Sequence, residues 1–441
     1  MAEPDRTPSS KQRDATVREE LPASFPTTAP ATPEPAGRDD RGDVTIREAE
    51  IPRYKVKERG PTPEPQSAKD LISLLSVSGL RTPAEVSALI ASLSPEDFKM
   101  SVDLLAGALV DRKQLTDYQV RKLLSGEGHR LVFQDFAIET TLGEGGIAKV
   151  YLARSRKTGQ MVALKVVPPN DPRFDREVRA VAKLSHPNVV AVIDRGAGAA
   201  GDFLAMEWVE GPDLAKYVEG KGGKLSIAEG LDLLLQAARG VAHLHEHRII
   251  HRDLKPQNFV RAPDGTLKLI DLGLARFDNR PSSFSGGENL TAEGSMLGTP
   301  SYMAPEQIKN ASTADYRSDI YSLGCMLHYL VTGDRPFARF NPMETIEMQL
   351  MEAPPKLRSL RSDTPAGVDA LFARMMSKDP KGRPQTMDEV IAALEELLKA
   401  APSASAGPAT SLSSGGAMAP LLIFAMGVAV LAGAVIWYFT R

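Results

Sequence analysis

The sequence predicts an α+β, two-lobed domain over residues 136–399. Short β-type runs come first, and helical patterns take over after Asp213. Strands followed by helices give segregated layers, not an alternating βα sandwich. An apolar fraction of 42% and a charged fraction of 25% are ordinary globular values, enough for a large core. A length of 441 residues suggests two or three domains. The 53 basic and 56 acidic side chains sum to a formal charge of −3. Nucleic-acid binding is served by a basic excess, so no nucleic-acid partner is expected. The single cysteine, Cys325, excludes an internal disulfide and four-Cys metal sites. It lies in the apolar run Leu323–Leu330, where core packing is expected.

Residues 1–65 hold 11 of the 33 prolines and only two aromatics, Phe25 and Tyr54. Such a segment buries too little apolar surface to offset its ordering entropy, so a disordered arm is expected. The tetrapeptide TPEP occurs twice, at Thr32–Pro35 and Thr62–Pro65. It reads either as a chance of composition, which we prefer, or as a proline-directed modification or docking motif. The first 20 residues contain no apolar run, so no secretory leader is expected.

Residues 67–128 read as a small module of three or four helices. Thr82–Glu85, Ser94–Asp97 and Thr116–Gln119 each place a hydroxyl three residues before an acidic or amide side chain, which is the pattern of a capped helix start. Val86, Leu89, Ile90 and Leu93 then repeat at helical spacing, as do Leu104, Leu105, Ala108 and Leu109. A docking or dimerisation unit is the plainest reading, which leaves a homodimer open.

The strands of the main domain are expected at Phe136–Leu142, Val150–Arg154, Met161–Val167, Val189–Ile193 and Phe203–Trp208. After the domain, residues 400–417 are a flexible linker with a reach of about 25 Å. Ala417–Thr440 then runs without a charged side chain. At about 1.5 Å per helical residue this exceeds the roughly 30 Å hydrocarbon core. Trp437 and Tyr438 stand near its end, where an interfacial aromatic belt would lie. A transmembrane helix over 418–440 is expected.

Several motifs carry chemistry. Leu142-Gly143-Glu144-Gly145-Gly146 lies between two strands, where a glycine-rich turn lets backbone amides approach phosphate oxygens. Taken alone it fits a hairpin turn equally well. Lys165 falls within an apolar strand and needs an anionic partner, because burying an unpaired charge is costly. Glu177, on the helical pattern Phe174–Leu184, is one candidate and phosphate is another. Next come His251-Arg252-Asp253-Leu254-Lys255-Pro256-Gln257-Asn258 and Leu269-Ile270-Asp271-Leu272-Gly273. This spacing offers a carboxylate for a hydroxyl nucleophile, a cation for a moving phosphoryl group and two oxygen ligands for Mg²⁺. Gly298-Thr299-Pro300, Ala304-Pro305-Glu306, Asp319 and Arg383 follow.

In this order and spacing, residues 136–397 resemble a protein kinase domain of the bacterial, eukaryotic-like serine/threonine type. The resemblance implies ATP and Mg²⁺ (or Mn²⁺) as cofactors and protein Ser/Thr hydroxyls as acceptors. It implies that Gly143 and Gly145 cover the phosphates and that Leu142, Val150, Ala163 and Val260 sandwich adenine. Met206 takes the gatekeeper position, and Glu207 and Trp208 begin the hinge. Lys165 would hold the α- and β-phosphates while paired with Glu177. Asp253 would orient the acceptor hydroxyl, Lys255 contact the γ-phosphate, and Asn258 and Asp271 hold the metal. Arg252 would pair with a phosphorylated activation-segment residue, with Thr291 and Ser295 the preferred sites and Thr299 structural. Glu306 would brace Arg383.

Two positions depart from the family pattern. Ala148 replaces the third loop glycine, and Leu272 replaces the usual phenylalanine after the metal-binding aspartate. Neither removes a reacting group, so activity is expected. Because ATP is cytosolic, a kinase domain tethered by 418–440 would face the cytoplasm. The alternative is a membrane-tethered pseudokinase scaffold that binds nucleotide without turnover. A small-molecule kinase is disfavoured by the Gly298–Pro300 and Ala304–Glu306 motifs, which resemble a protein-substrate platform. His243, His245 and His247 alternate before the catalytic loop and are expected to close a long helix without a metal.

Overall fold

The computed structural model describes residues 60–144, 148–169, 172–197, 201–272, 300–310, 314–337 and 341–400, excepting the side chains of 172, 173 and 175–177. Gly145, Thr291, Ser295, Thr299, the first TPEP and the apolar run Ala417–Thr440 lie outside these residues. Among the described residues no helix is long and apolar enough to cross a membrane.

The chain begins with four helices, α1 Ala68–Val77, α2 Pro83–Ser92, α3 Val102–Asp111 and α4 Asp117–Leu124. Thr82 and Thr116 form reciprocal capping boxes with Glu85 and Gln119, satisfying first-turn amides that lack helical partners. Ser94 and Asp97 also exchange bonds, but only a 3-10 turn follows. The Asp97 carboxylate turns inward to a bidentate pair with Arg112, at 2.8 and 3.1 Å. The next helix starts instead at Ser101, which caps Leu104 N–H. Leu71, Leu75, Leu105, Leu109 and Leu123 fill the core of this module, each worth about 1.5–3 kcal/mol of burial. Leu104 and Ile90, expected inside, are exposed. Thr62 of the second TPEP is buried, and its hydroxyl donates to Gly126 O at 2.8 Å. Its hydroxyl is thus a fastening of the module.

A six-stranded antiparallel sheet follows, in the order β1-β2-β3-β4-β6-β5. Its strands are β1 Val132–Phe133, β2 Phe136–Glu144, β3 Lys149–Ser155, β4 Met161–Val167, β5 Val192–Gly196 and β6 Asp202–Glu207, with helix α5 Pro172–Val181 between β4 and β5. The β5 strand starts three residues later than its apolar run suggests. Val189 bridges in parallel to Leu269, and Val190 N–H bonds Leu269 O, which draws that stretch to the second lobe.

The second lobe contains α6 Leu214–Gly220, α7 Ile227–Glu246, the hairpin β7 Phe259–Arg261 and β8 Leu267–Leu269, then α8 Pro305–Lys309, α9 Tyr316–Thr332, α10 Pro342–Met351, α11 Leu357–Leu360, α12 Ala366–Met375 and α13 Met387–Ala400. Every residue of α9 from Ser318 to His328 is buried, so about three turns of this helix run through the core with no solvent-facing side. Cys325 lies within it, 3.6 Å from the Met376 sulfur, and burial pushes its thiol up to about 12.

Candidate active site

The β2–β3 turn narrows at Gly143, opposite Val150, and at Glu144, opposite Lys149. Glu144 and Lys149 pair at 2.6 Å, and that hydrogen bond raises the Lys149 ammonium above its ordinary value. Leu142 is exposed at the mouth of the turn. On β4, Lys165 stands in register with Val150 and Leu204, and Ala163 with Met206. The alternation of a strand puts Ala163 and Lys165 on one face.

Lys165 Nζ lies 3.2 Å from Asp271 Oδ1, an ion pair between the two lobes. Glu177 falls within α5, and its side chain is outside the described set. Asp253 and Lys255 pair at 3.3 Å. Asn258 Nδ2 donates to Asp253 O at 2.7 Å, and Asn258 O accepts Ile270 N–H at 2.9 Å. His251 Nε2 bonds Asp271 O, and its Nδ1 accepts Asp253 N–H at 3.3 Å. Lys165, Asp271, Asp253 and Asn258 are therefore linked through His251 by hydrogen bonds, and Lys255 joins them by its ion pair with Asp253.

Met206 is buried at the end of β6 beside Ala163. The Glu207 carboxylate turns to Lys268 at 3.0 Å and to Ala191 N–H at 3.3 Å. Glu207 N–H donates to Ala191 O at 2.9 Å, so its amide is engaged as well as its carboxylate, and Trp208 follows directly after β6. Gly211 closes this segment with φ 139, and a Cβ there would meet Arg261 O at 2.2 Å. Asp213 then bridges to Val260, which brings the buried Val260 beneath the hinge.

Sequence reasoning gave Asp319 no role, because its partners are remote in sequence. Asp319 sits fully buried in α9. Its carboxylate accepts His251 N–H at 2.9 Å, Arg252 N–H at 2.8 Å and the His245 ring at 2.8 Å. Burial opposes its charge, but the bond and field of His245, the field of His251 and the backbone donor outweigh it, so its carboxyl lies below the ordinary value. Arg252 stands at φ 64, a conformation costly for a side chain with a Cβ, and Gln307 Nε2 holds its carbonyl at 2.9 Å. Arg383 is fully buried and makes a bidentate pair with Glu306, at 2.6 and 2.8 Å.

The three histidines have separate partners. His243 Nε2 accepts Ser185 N–H at 3.3 Å and its Nδ1 faces Glu246 at 3.2 Å. His245 serves Asp319, and His247 Nδ1 bonds His243 O at 2.9 Å. His243, Glu246 and His247 bring ligand-type atoms within 4.8 Å of one another, but both His243 nitrogens are already engaged.

The donor set suits a hard divalent cation. Asn258 points its Nδ2 at Asp253 O, leaving its amide oxygen on the opposite side. Asp271 is 44% exposed and joins Asn258 through His251 and Asp253, and a carboxamide oxygen and a carboxylate are ligands of the kind that Mg²⁺ or Mn²⁺ takes. Leu272, at the family's phenylalanine position, is 2% exposed within the main core.

Comparisons with known proteins agree with this geometry. The family described as "Protein kinase domain" matches residues 136–394. A probable serine/threonine-protein kinase of Clostridium perfringens is 36% identical over 58% of this chain and 37% of its own length. Serine/threonine-protein kinase pkn3 of Myxococcus xanthus is 33% identical over 65% of this chain and 54% of its own. Serine/threonine-protein kinase PknB of Mycolicibacterium smegmatis is 33% identical over 57% and 41%. The chain thus spans between about a third and a half of the length of these relatives. With the family matched over more than half of its residues, the chain belongs to the protein kinase domain family.

Proposed function

We propose that the chain is a serine/threonine protein kinase that transfers the γ-phosphoryl group of ATP to Ser or Thr hydroxyls of proteins. The observation that carries this reading is the linked set of Lys165, Asp253, Lys255, Asn258 and Asp271. Phosphoryl transfer asks the protein for positioning and charge stabilisation. Lys165 supplies a cation on the nucleotide side, held at Asp271 until phosphate oxygens compete for it. Asp253 supplies a carboxylate that orients the acceptor hydroxyl and takes its proton. Lys255, 3.3 Å from Asp253, places a second cation where negative charge moves. A bound Mg²⁺ would neutralise phosphate charge. Lys255 also resembles the serine/threonine class, and the three relatives named above carry that name.

The same reading extends to parts outside the described residues. Thr291 and Ser295 are the proposed autophosphorylation sites, with Arg252 as the charge partner that orders the segment. Residues 418–440 are the proposed membrane anchor, with the kinase domain on the cytoplasmic side. The reaction is tested with the full chain, labelled ATP and Mg²⁺, beside Asp253→Asn. Label on phosphoserine or phosphothreonine in the wild type alone is the expected result. ATP binding without any transfer in the wild type would support the scaffold instead. Release of the full chain from membranes by alkaline carbonate would overturn the anchor.

A further inference from the structure

Strand β2 carries two register shifts against β3, between Ile138 and Thr140 and between Thr141 and Gly143. The residues left over are Glu139 and Leu142. A bulge removes backbone groups from the ladder and re-aims the strand beyond it. Here the strand beyond it is the glycine-rich turn.

The carbonyls at the first bulge find their partners outside the kinase domain. Gln119 Nε2 donates to Ile138 O at 2.8 Å and to Glu139 Oε2 at 3.1 Å. The Thr116 hydroxyl donates to Glu139 O. Both residues are fixed from behind by the α4 capping box, in which Gln119 Oε1 accepts Thr116 N–H at 3.0 Å and Thr116 Oγ1 accepts Gln119 N–H at 3.2 Å. Glu139 Oε1 continues the chain to Arg154 Nε on β3, at 3.0 Å. Tyr118, between Thr116 and Gln119, packs against the cluster of Phe136, Ile138 and Phe203. Gln119 is 3% exposed, far more buried than an amide needs to be to cap a surface helix.

We propose that Gln119 is a positioning residue for ATP binding. Through the Glu139 bulge, the helical module sets the course of β2 and so the placement of Leu142 and Gly143 over the nucleotide. The proposal rests on the kinase reading given above. It assigns the module a defined effect on the catalytic domain: any displacement of α4 from β2 weakens nucleotide affinity, because the two bulge carbonyls lose their donors and the turn loses its fixed base.

Gln119→Glu in the full chain is the direct test. It removes the donor, places a carboxylate against two oxygens and keeps Oε1 for the cap. The Kd for Mg²⁺–ATP is measured by calorimetry, with KM, kcat and melting temperature alongside. Loss of a coupled contact of this kind is expected to raise Kd and KM for ATP about fivefold to tenfold. At saturating ATP, kcat stays within about twofold. Glu139→Gln added to Gln119→Glu restores a donor–acceptor pair and recovers part of the affinity. Arg112→Ala, which breaks the pair with Asp97 without removing the Thr116 or Gln119 donors, leaves ATP affinity unchanged. If Gln119→Glu does not fold, Thr116→Val, which removes the other donor, takes its place with the same expectation. The inference is overturned if Gln119→Glu lowers the melting temperature with ATP affinity intact, or if Arg112→Ala weakens ATP equally. A wild type that binds ATP without transferring phosphate sinks the kinase reading and leaves the Kd comparison to decide this one. A wild type that binds no ATP sinks both.

Discussion

Asp319 holds the Arg252 amide at 2.8 Å while Arg252 stands in the left-handed backbone region at φ 64. The strained residue immediately precedes Asp253, so a buried helix carboxylate fixes the angle at which Asp253 leaves the loop. A residue kept in such a conformation costs of order 1–3 kcal/mol and persists only when its surroundings over-determine it. Asp319, His251 and Gln307 are those surroundings.

Asp319→Asn tests this arrangement. The amide keeps one acceptor oxygen for three donors and loses its charge attraction to His245. Small displacements of reacting groups cost about 100-fold in rate, so kcat is expected to fall by a factor approaching that with KM for ATP nearly unchanged. Steady-state kinetics with varied ATP checks it. A kcat within about twofold of wild type would show that the loop holds its angle without the carboxylate.

Glu306→Ala removes the partner of a guanidinium that is fully buried. Breaking a buried pair from one side costs about 3–5 kcal/mol, since the remaining charge stays desolvated. Backbone acceptors at Ser377 and Arg317 remain for Arg383, so the low end of that range is expected. Urea unfolding measures it, and a loss below about 1 kcal/mol would show that those carbonyls suffice.

The helical module should weaken in acid. The Arg112 hydrogen bonds and Ser94 backbone donor lower the Asp97 carboxyl from its ordinary 3.8 to about 2. The folded value is depressed, so the stabilisation is complete above the unfolded value and is lost as pH falls through the folded one. The window is therefore from about 4 down to about 2. Arg112→Ala should narrow it and move acid unfolding of the module to higher pH. Amide exchange in α2 and α3 across an acid titration reads the change, and an unshifted acid transition in the variant would refute it.

Gly211→Ala is expected to be severe although it changes one methyl group. The backbone angle of 139° and the 2.2 Å approach of Arg261 O both exclude a Cβ. Strain of this kind costs about 1–3 kcal/mol before any backbone shift is counted. The shift would fall on the joint between the hinge and Val260. Thermal unfolding and ATP affinity should both decline, and an unaffected ATP affinity would show that the hinge tolerates the movement.

Local signals in the sequence were legible where the cause was local. Met161–Val167 is the β4 strand to the residue, because its apolar run is bounded by polar turns on both sides. The Thr82 and Thr116 boxes form because hydroxyl, spacing and acceptor all lie within one turn. The Ser94 box also forms, yet no α-helix follows, because Asp97 answers to Arg112, fifteen residues away. Of the site, the Asp253–Asn258 and Asp271 motifs could be singled out from spacing, and they lie together. The role of Asp319 could not, since its three donors come from two other segments. Nor could the role of Gln119, whose spacing announces a helix cap and nothing about a strand.

The match to the kinase family begins at residue 136, but the packing does not. Ala137 of β2 belongs to the same apolar cluster as Leu71, Leu105, Leu123 and Leu131. A catalytic fragment started at residue 136 would expose that seam and strip Ile138 and Glu139 of their donors. Such a fragment should be prone to self-association and a poor nucleotide binder, and its weakness would be an artefact of where the chain was cut. The smallest faithful unit for enzymology or inhibitor screening begins near Gly60, ahead of the Thr62–Gly126 fastening.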